Sequence, residues 1–230
     1  MSTERTNQID IKDIHQTFWR CRDFELSNLW QRSIFLTAFL VICFTAYGTA
    51  LVKLLEQESI DSLPFIGLSV AEYIISLLGL IFSILWIKMS KGSKAWYEVY
   101  ESAINALETN GEYATPEARK IGGFSYATLP GYRGVRINNS LLSAKAGEYS
   151  VSKLNIGIGQ VFMFLWSILA IVHTAALAIS IHSHVILGCL DVPIAVAGVL
   201  LWVTIIFLFA RNKTFQSTSI ADFKKSNPYD

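Results

Sequence analysis

Residues 65–87 read FIGLSVAEYIISLLGLIFSILWI, a 23-residue run whose one charged side chain is Glu72. A bilayer's hydrocarbon core takes about 20 residues of helix at a rise of about 1.5 Å each. Lipid offers no partners for backbone N–H and C=O groups, so a single apolar segment crosses as a helix. Three further runs have the same character: Ser33–Leu55 (SIFLTAFLVICFTAYGTALVKLL, with Lys53 near its end), Gly159–Ile181 and Val185–Ala210. The first follows some 32 residues of chain and no small-residue cleavage site succeeds it, so it is a span rather than a cleaved leader. Asp191 and Pro193 predict an irregular or kinked outer end for the last.

The composition of the 230 residues agrees. Hydrophobic residues make up 52% and charged residues 16%, against roughly 25% charged in soluble domains. Mean hydropathy is +0.41, which excludes intrinsic disorder. Cys21, Cys43 and Cys189 lie far apart without a CxxC pair, so neither a disulfide framework nor a zinc ribbon is available. A net charge of +1 provides no basic field for nucleic acid.

Basic residues set the orientation. Five precede the first span, nine lie between spans two and three, four follow span four, and only Lys53 is left for the other side. The positive-inside rule places both termini and the long middle segment in the cytoplasm. The divisions are then 1–32, a cytoplasmic N-terminal helix; 33–87, spans one and two; 88–158, a cytoplasmic helix and loop; 159–210, spans three and four; and 211–230, a cytoplasmic tail. Phe18, Trp19 and Trp30 before span one, with Trp86 and Trp96 around the inner end of span two, suit the headgroup zone.

In the first segment Ile11, Ile14, Phe18 and Cys21 make an apolar stripe at helical spacing. It lies along the membrane or packs on a neighbouring subunit. Gly92 and Ser93 are expected to interrupt the chain after span two, with Ser93 capping a second helix. Along that helix Trp96, Tyr100, Ala103 and Leu107 repeat at 4, 3 and 4 residues, a short seam that needs another surface: the N-terminal helix, or its own copy in another subunit. From Gly111 to Tyr149 glycines and Pro130 break any period. Short strands or a partly ordered loop are expected there, and no phosphate-binding glycine pattern is present.

Ionisable side chains inside spans cost about 2.5–3.5 kcal/mol on insertion scales and are functional candidates by default. They are Glu72, His173 and Asp191, at depths of roughly 9–14 Å from the outer ends by helix rise. A shared polar layer and three separately satisfied groups are equally good readings. Ser69, Glu72, Ser76, Gly79 and Ser83 follow a 3, 4, 3, 4 spacing on one face of span two. Small residues in such a stripe allow close helix contact in lipid, or line a narrow aqueous path; packing is the commoner meaning. Span three offers Ser167, Ala170, Thr174 and Ala178, and span four Gly188, Asp191, Ala195 and Gly198. His182, His184, Cys189 and Asp191 have metal-binding chemistry, but their spacing matches no familiar site and incidental placement is favoured. HExxH, GxSxG and GxxxxGK[ST] are absent, so neither an enzyme nor a cofactor is expected.

The runs FWRCRDFELSNLWQRSIFLTAFLVICFTAYG (18–48), KGSKAWYEVYESAINALE (91–108) and YSVSKLNIGIGQVFMFLW (149–166) resemble a bacterial inner-membrane family, the RipA family of octameric membrane proteins. The resemblance implies a homo-oligomer of eight and assigns no reaction or residue role. The expected architecture is all-α: a four-span transmembrane helix bundle with N-terminal and central cytoplasmic amphipathic helices, in a ring-like homo-oligomer. The expected function is a non-enzymatic pore or membrane platform whose partners are itself, the lipid bilayer and an unknown cytoplasmic protein. The alternatives are a membrane effector of stress or phage defence, triggered by that cytoplasmic partner, and a small transporter.

Overall fold

The computed structural model describes residues 11–60, 62–110, 140, 150–184 and 191–211, with side chains except at 109–110, 181–184, 191–192, 194–195 and 208–211. The described residues form four helices and no strand: α1 Ile11–Leu55, α2 Leu63–Asn110, α3 Val151–His184 and α4 Asp191–Arg211. The expectations for residues 111–149 fall almost wholly outside this set. Three helices, α1 to α3, are long and apolar enough to cross a membrane, and α4 adds a shorter apolar run, Val196–Phe207.

The first two helices have 45 and 48 residues, lengths of about 68 and 72 Å by helix rise. Each is about twice the thickness a bilayer core requires. No proline interrupts residues 11–55, and in α2 Pro64 sits in the first turn, where its missing N–H costs nothing. Ser62 caps that turn, its Oγ accepting from the Phe65 N–H at 3.3 Å.

The break expected at Gly92 and Ser93 does not occur. The helix runs through both, and Ser93 is buried rather than capping. A lone interior glycine costs about 1 kcal/mol relative to alanine, too little to end a helix packed on both sides of it. Span four is described as helix from Asp191 to Arg211, Pro193 included, and residues 185–190, where its expected outer end begins, lie outside the described residues.

The chain divides into two compact units, Met1–Trp30 with Gly92–Val151, and Gln31–Lys91 with Ser152–Asp230. In the second, the core is Leu36, Leu40 and Cys43 from α1, Leu80, Ile84 and Trp86 from α2, and Trp166 from α3. A second cluster joins Tyr73 and Leu77 to Ala170 and Leu177, with Trp202 and Ile205 of α4 against it. Large apolar side chains such as Phe35, Ile42, Phe164, Ile168 and Leu200 point outward, as they do on helices whose solvent is hydrocarbon.

In the first unit, the opening turns of α1 pack on the last turns of α2. Arg22 Nε donates to Glu101 Oε1 at 2.9 Å, His15 Nε2 meets Glu108 Oε1 at 3.0 Å, and the Phe18 and Tyr100 rings are 6.4 Å apart. Ile104 is fully buried here and Glu108 nearly so.

Candidate functional site

The small-residue stripe of α2 packs inside the bundle. Ser69, Ser76 and Ser83 are each 0% exposed, so within the chain they line no water-filled space. Ser76 Oγ donates to the Glu72 carbonyl and Ser83 Oγ to that of Gly79, back-bonds that satisfy a hydroxyl within its own helix. Gly79 explains the spacing. A Cβ there would lie 2.3 Å from Cδ2 and Cε2 of Trp166, a residue with no exposure at all. The indole of α3 therefore lies directly on the backbone of α2, an approach only glycine permits. Behind it Phe44 of α1 stacks at 4.4 Å and Tyr47 meets it edge-on at 6.0 Å. Further along α3 from Trp166, the small face is buried at Ala170 and Thr174, and Gly198 of α4 lies against the Thr174 methyl.

Two of the three ionisable residues meet at the level above this contact. Glu72 Oε2 is 3.0 Å from His173 Nδ1, with side chains 0% and 4% exposed. The separation is that of an ion pair, yet the carboxylate lies off the ring N–H direction. Neither Glu72 oxygen, nor His173 Nδ1, nor the Oγ of Ser69 one turn away has a hydrogen-bond partner among the described residues. The third member is one that sequence reasoning missed: Tyr47 of α1, whose hydroxyl is 2.9 Å from His173 Nε2. Three helices thus place Tyr47, His173 and Glu72 in one chain. Asp191 stands at the start of the described part of α4, and its side chain and the six residues before it are outside the described residues. Beside this chain Tyr73 donates to the Gly198 carbonyl of α4 at 2.7 Å, and a cavity of about 250 Å³ is lined by Tyr73, Thr174, Leu177, Ala197, Gly198 and Leu201.

A second polar cluster went unread in the sequence. Asn155 of α3 accepts from Trp86 Nε1 at 2.9 Å and donates to Ser33 Oγ of α1 at 2.7 Å and Ser90 Oγ of α2 at 3.2 Å. Trp86, expected in the headgroup zone, is only 4% exposed, and Asn155 takes the place of interfacial water as its partner. A lone asparagine near the start of an apolar run carries no periodic signal; only its three partners, brought together by the fold, reveal it.

On the C-terminal portion of α2 the deepest positions are Ser93, Ile104 and Glu108, so the buried face is rotated by about one residue from the predicted seam. Tyr100 packs on Phe18 of α1 and stacks on Trp96 at 6.0 Å, while Trp96, Ala103 and Leu107 stay partly exposed. Burial, and then the nearby Cys21 and Glu25, push the Tyr100 phenol above its ordinary value. Arg22 also lies 5.3 Å over the Trp19 ring.

Among the described residues no group of three His, Cys, Asp or Glu side chains converges on a point that could hold a metal ion. The side chains of His182, His184 and Cys189 lie outside them.

Comparison with known proteins places these features in a family. No curated protein and no solved structure matches the chain. Residues 12–176, which hold all but the first residue of α1, the whole of α2, the Tyr47–His173–Glu72 chain and the Asn155 cluster, match the Octameric membrane protein family (8xMP). Apolar spans, a bundle closed around small residues and this match lead to one statement: the chain belongs to the octameric membrane protein family.

Proposed function

We propose that this is a non-enzymatic, four-span protein of the bacterial cytoplasmic membrane, of the RipA kind its first span resembles, that assembles as eight copies into a membrane platform. Both termini and the middle segment lie in the cytoplasm, where eighteen of the nineteen basic residues fall. The observation that carries the reading is the closure of the chain's own bundle. Ser69, Ser76 and Ser83 are inaccessible and Trp166 lies on Gly79, so one copy supplies an anchored block rather than a channel. Any conducting path belongs on the axis between copies, and this favours a platform over a small transporter with a route through each chain.

Native mass measurement of the extracted complex, coupled to imaging of its axis, tests the proposal. Eight copies around a closed or lipid-filled axis is the expected result. A monomer would overturn the assembly, and an open polar axis would turn the platform into a pore. One observation favours a second reading, an effector triggered by a cytoplasmic partner. The partly exposed Trp96, Ala103 and Leu107 leave an apolar edge on the arm formed by α1 and α2. Depolarisation of the membrane only after a cytoplasmic trigger would promote that reading.

A further inference from the structure

We propose that Glu72, His173 and Tyr47 form a proton-binding site inside the membrane bundle, taking up and releasing one proton per chain. The inference rests on the bundle lying in lipid and does not depend on the number of copies.

The argument begins with charge. A carboxylate with no exposure, in a helix surrounded by hydrocarbon, has to be neutralised or paired. Among the described residues the cationic candidate at hand is His173, 3.0 Å away. The contact is Coulombic rather than an aligned hydrogen bond, so the geometry does not commit the proton to either partner. With one proton between them the pair is neutral, whether as carboxylic acid and imidazole or as carboxylate and imidazolium. Without it the pair carries one negative charge, and the proton has gone to water. The two occupancies are coupled, so they belong to the pair and not to one residue.

Tyr47 suits both occupancies. A hydroxyl is donor and acceptor, so its oxygen accepts from Nε2–H when His173 is imidazolium and it donates to a bare Nε2 when His173 is neutral with its proton on Nδ1. The 2.9 Å contact is therefore kept while its polarity reverses. A site built only to hold helices together would satisfy its acceptors. Here both Glu72 oxygens, which can accept up to four hydrogen bonds as a carboxylate, go without a hydrogen bond among the described residues. Ser69, on the same face of α2 and three residues nearer its Leu63 end, holds another fully buried hydroxyl without a partner among the described residues.

Among the described residues the other titratable groups nearby are few: on α1, Tyr47 and, one turn before it, the buried Cys43; on α2, Tyr73, engaged with the Gly198 carbonyl. The side chains of residues 196–207 of α4 that are described include none.

The test is infrared pH-difference spectroscopy of the full-length protein in lipid nanodiscs, in H2O and D2O, comparing wild type with Glu72→Gln, His173→Gln and Tyr47→Phe. Subtracting Glu72→Gln from wild type should leave one titrating carboxyl or imidazolium signature, shifted in D2O. His173→Gln should move its midpoint by tenfold or more in proton affinity, and Tyr47→Phe by about threefold. Superimposable wild-type and Glu72→Gln spectra would overturn the proposal. If Glu72→Gln fails to assemble, Tyr47→Phe decides alone, because it removes one hydroxyl and keeps the ring; an unchanged titration overturns the site. Sizing the same nanodisc sample separates this from the platform reading. A titrating monomer overturns only the assembly, and a non-titrating octamer only the proton site.

Discussion

Substituting Gly79 by alanine probes the contact on which the bundle closes. The added methyl would lie 2.3 Å from two indole carbons of Trp166 and 2.7 Å from its nitrogen. Carbon atoms rest at about 3.5–4.0 Å, so the ring or the helix must retreat by more than 1 Å. Neither has room, because Trp166 has no exposure and is backed by Phe44 at 4.4 Å. Overpacking of this kind costs about 1–3 kcal/mol, and the better helix propensity of alanine returns up to about 1 kcal/mol. The expected net loss is about 1–2 kcal/mol, a 5- to 30-fold shift toward the unfolded state. Reversible unfolding in mixed micelles by SDS titration measures it. Gly157→Ala is the control, since nothing lies within 4 Å of a Cβ there. Trp166→Phe in the Gly79→Ala background should recover part of the loss. Equal stability of Gly79→Ala and Gly157→Ala would refute the reasoning.

Three further outcomes follow from the same geometry. Asn155→Leu strips Trp86, Ser33 and Ser90 of a shared partner and should cost about 1–3 kcal/mol in the same titration. A neutral result would mean that water replaces the amide. Gly92→Ala lies inside a continuous helix with open space around it, so it should stabilise the α2 arm by up to about 1 kcal/mol; destabilisation would restore the break. Tyr100, whose phenol is held above its ordinary value of 10.0, contributes stability that is complete below that value. The contribution is lost as pH rises through the higher folded value. Alkaline loosening of the arm, followed by amide exchange, should be weaker in Tyr100→Phe.

The sequence carried the long-period features of this protein. Spans one to three and the face of α2 from Ser69 to Ser83 repeat often enough to be read as helix, apolar length and packing surface. Glu72 and His173 stood out because charge is rare in such runs. What escaped are single residues joined across the fold. Tyr47 and His173 are 126 positions apart, and Asn155 lies 122 positions from Ser33. A tyrosine in an apolar run is unremarkable until a histidine from another helix reaches its hydroxyl. Gly92 misled for the opposite reason: local propensity argued for a break, and packing on either side outweighed it.

Membrane crossing by α1, with its start in the cytoplasm, is the premise under all of this. The direct measurement uses a chain freed of native cysteines, carrying one at either exposed Glu58, in the turn after α1, or exposed Ser102, in the α2 arm. A membrane-impermeant maleimide is applied to intact cells. The account predicts labelling of Glu58→Cys without permeabilisation and of Ser102→Cys only after it. Labelling of both positions from outside, or the reverse pattern, would contradict it.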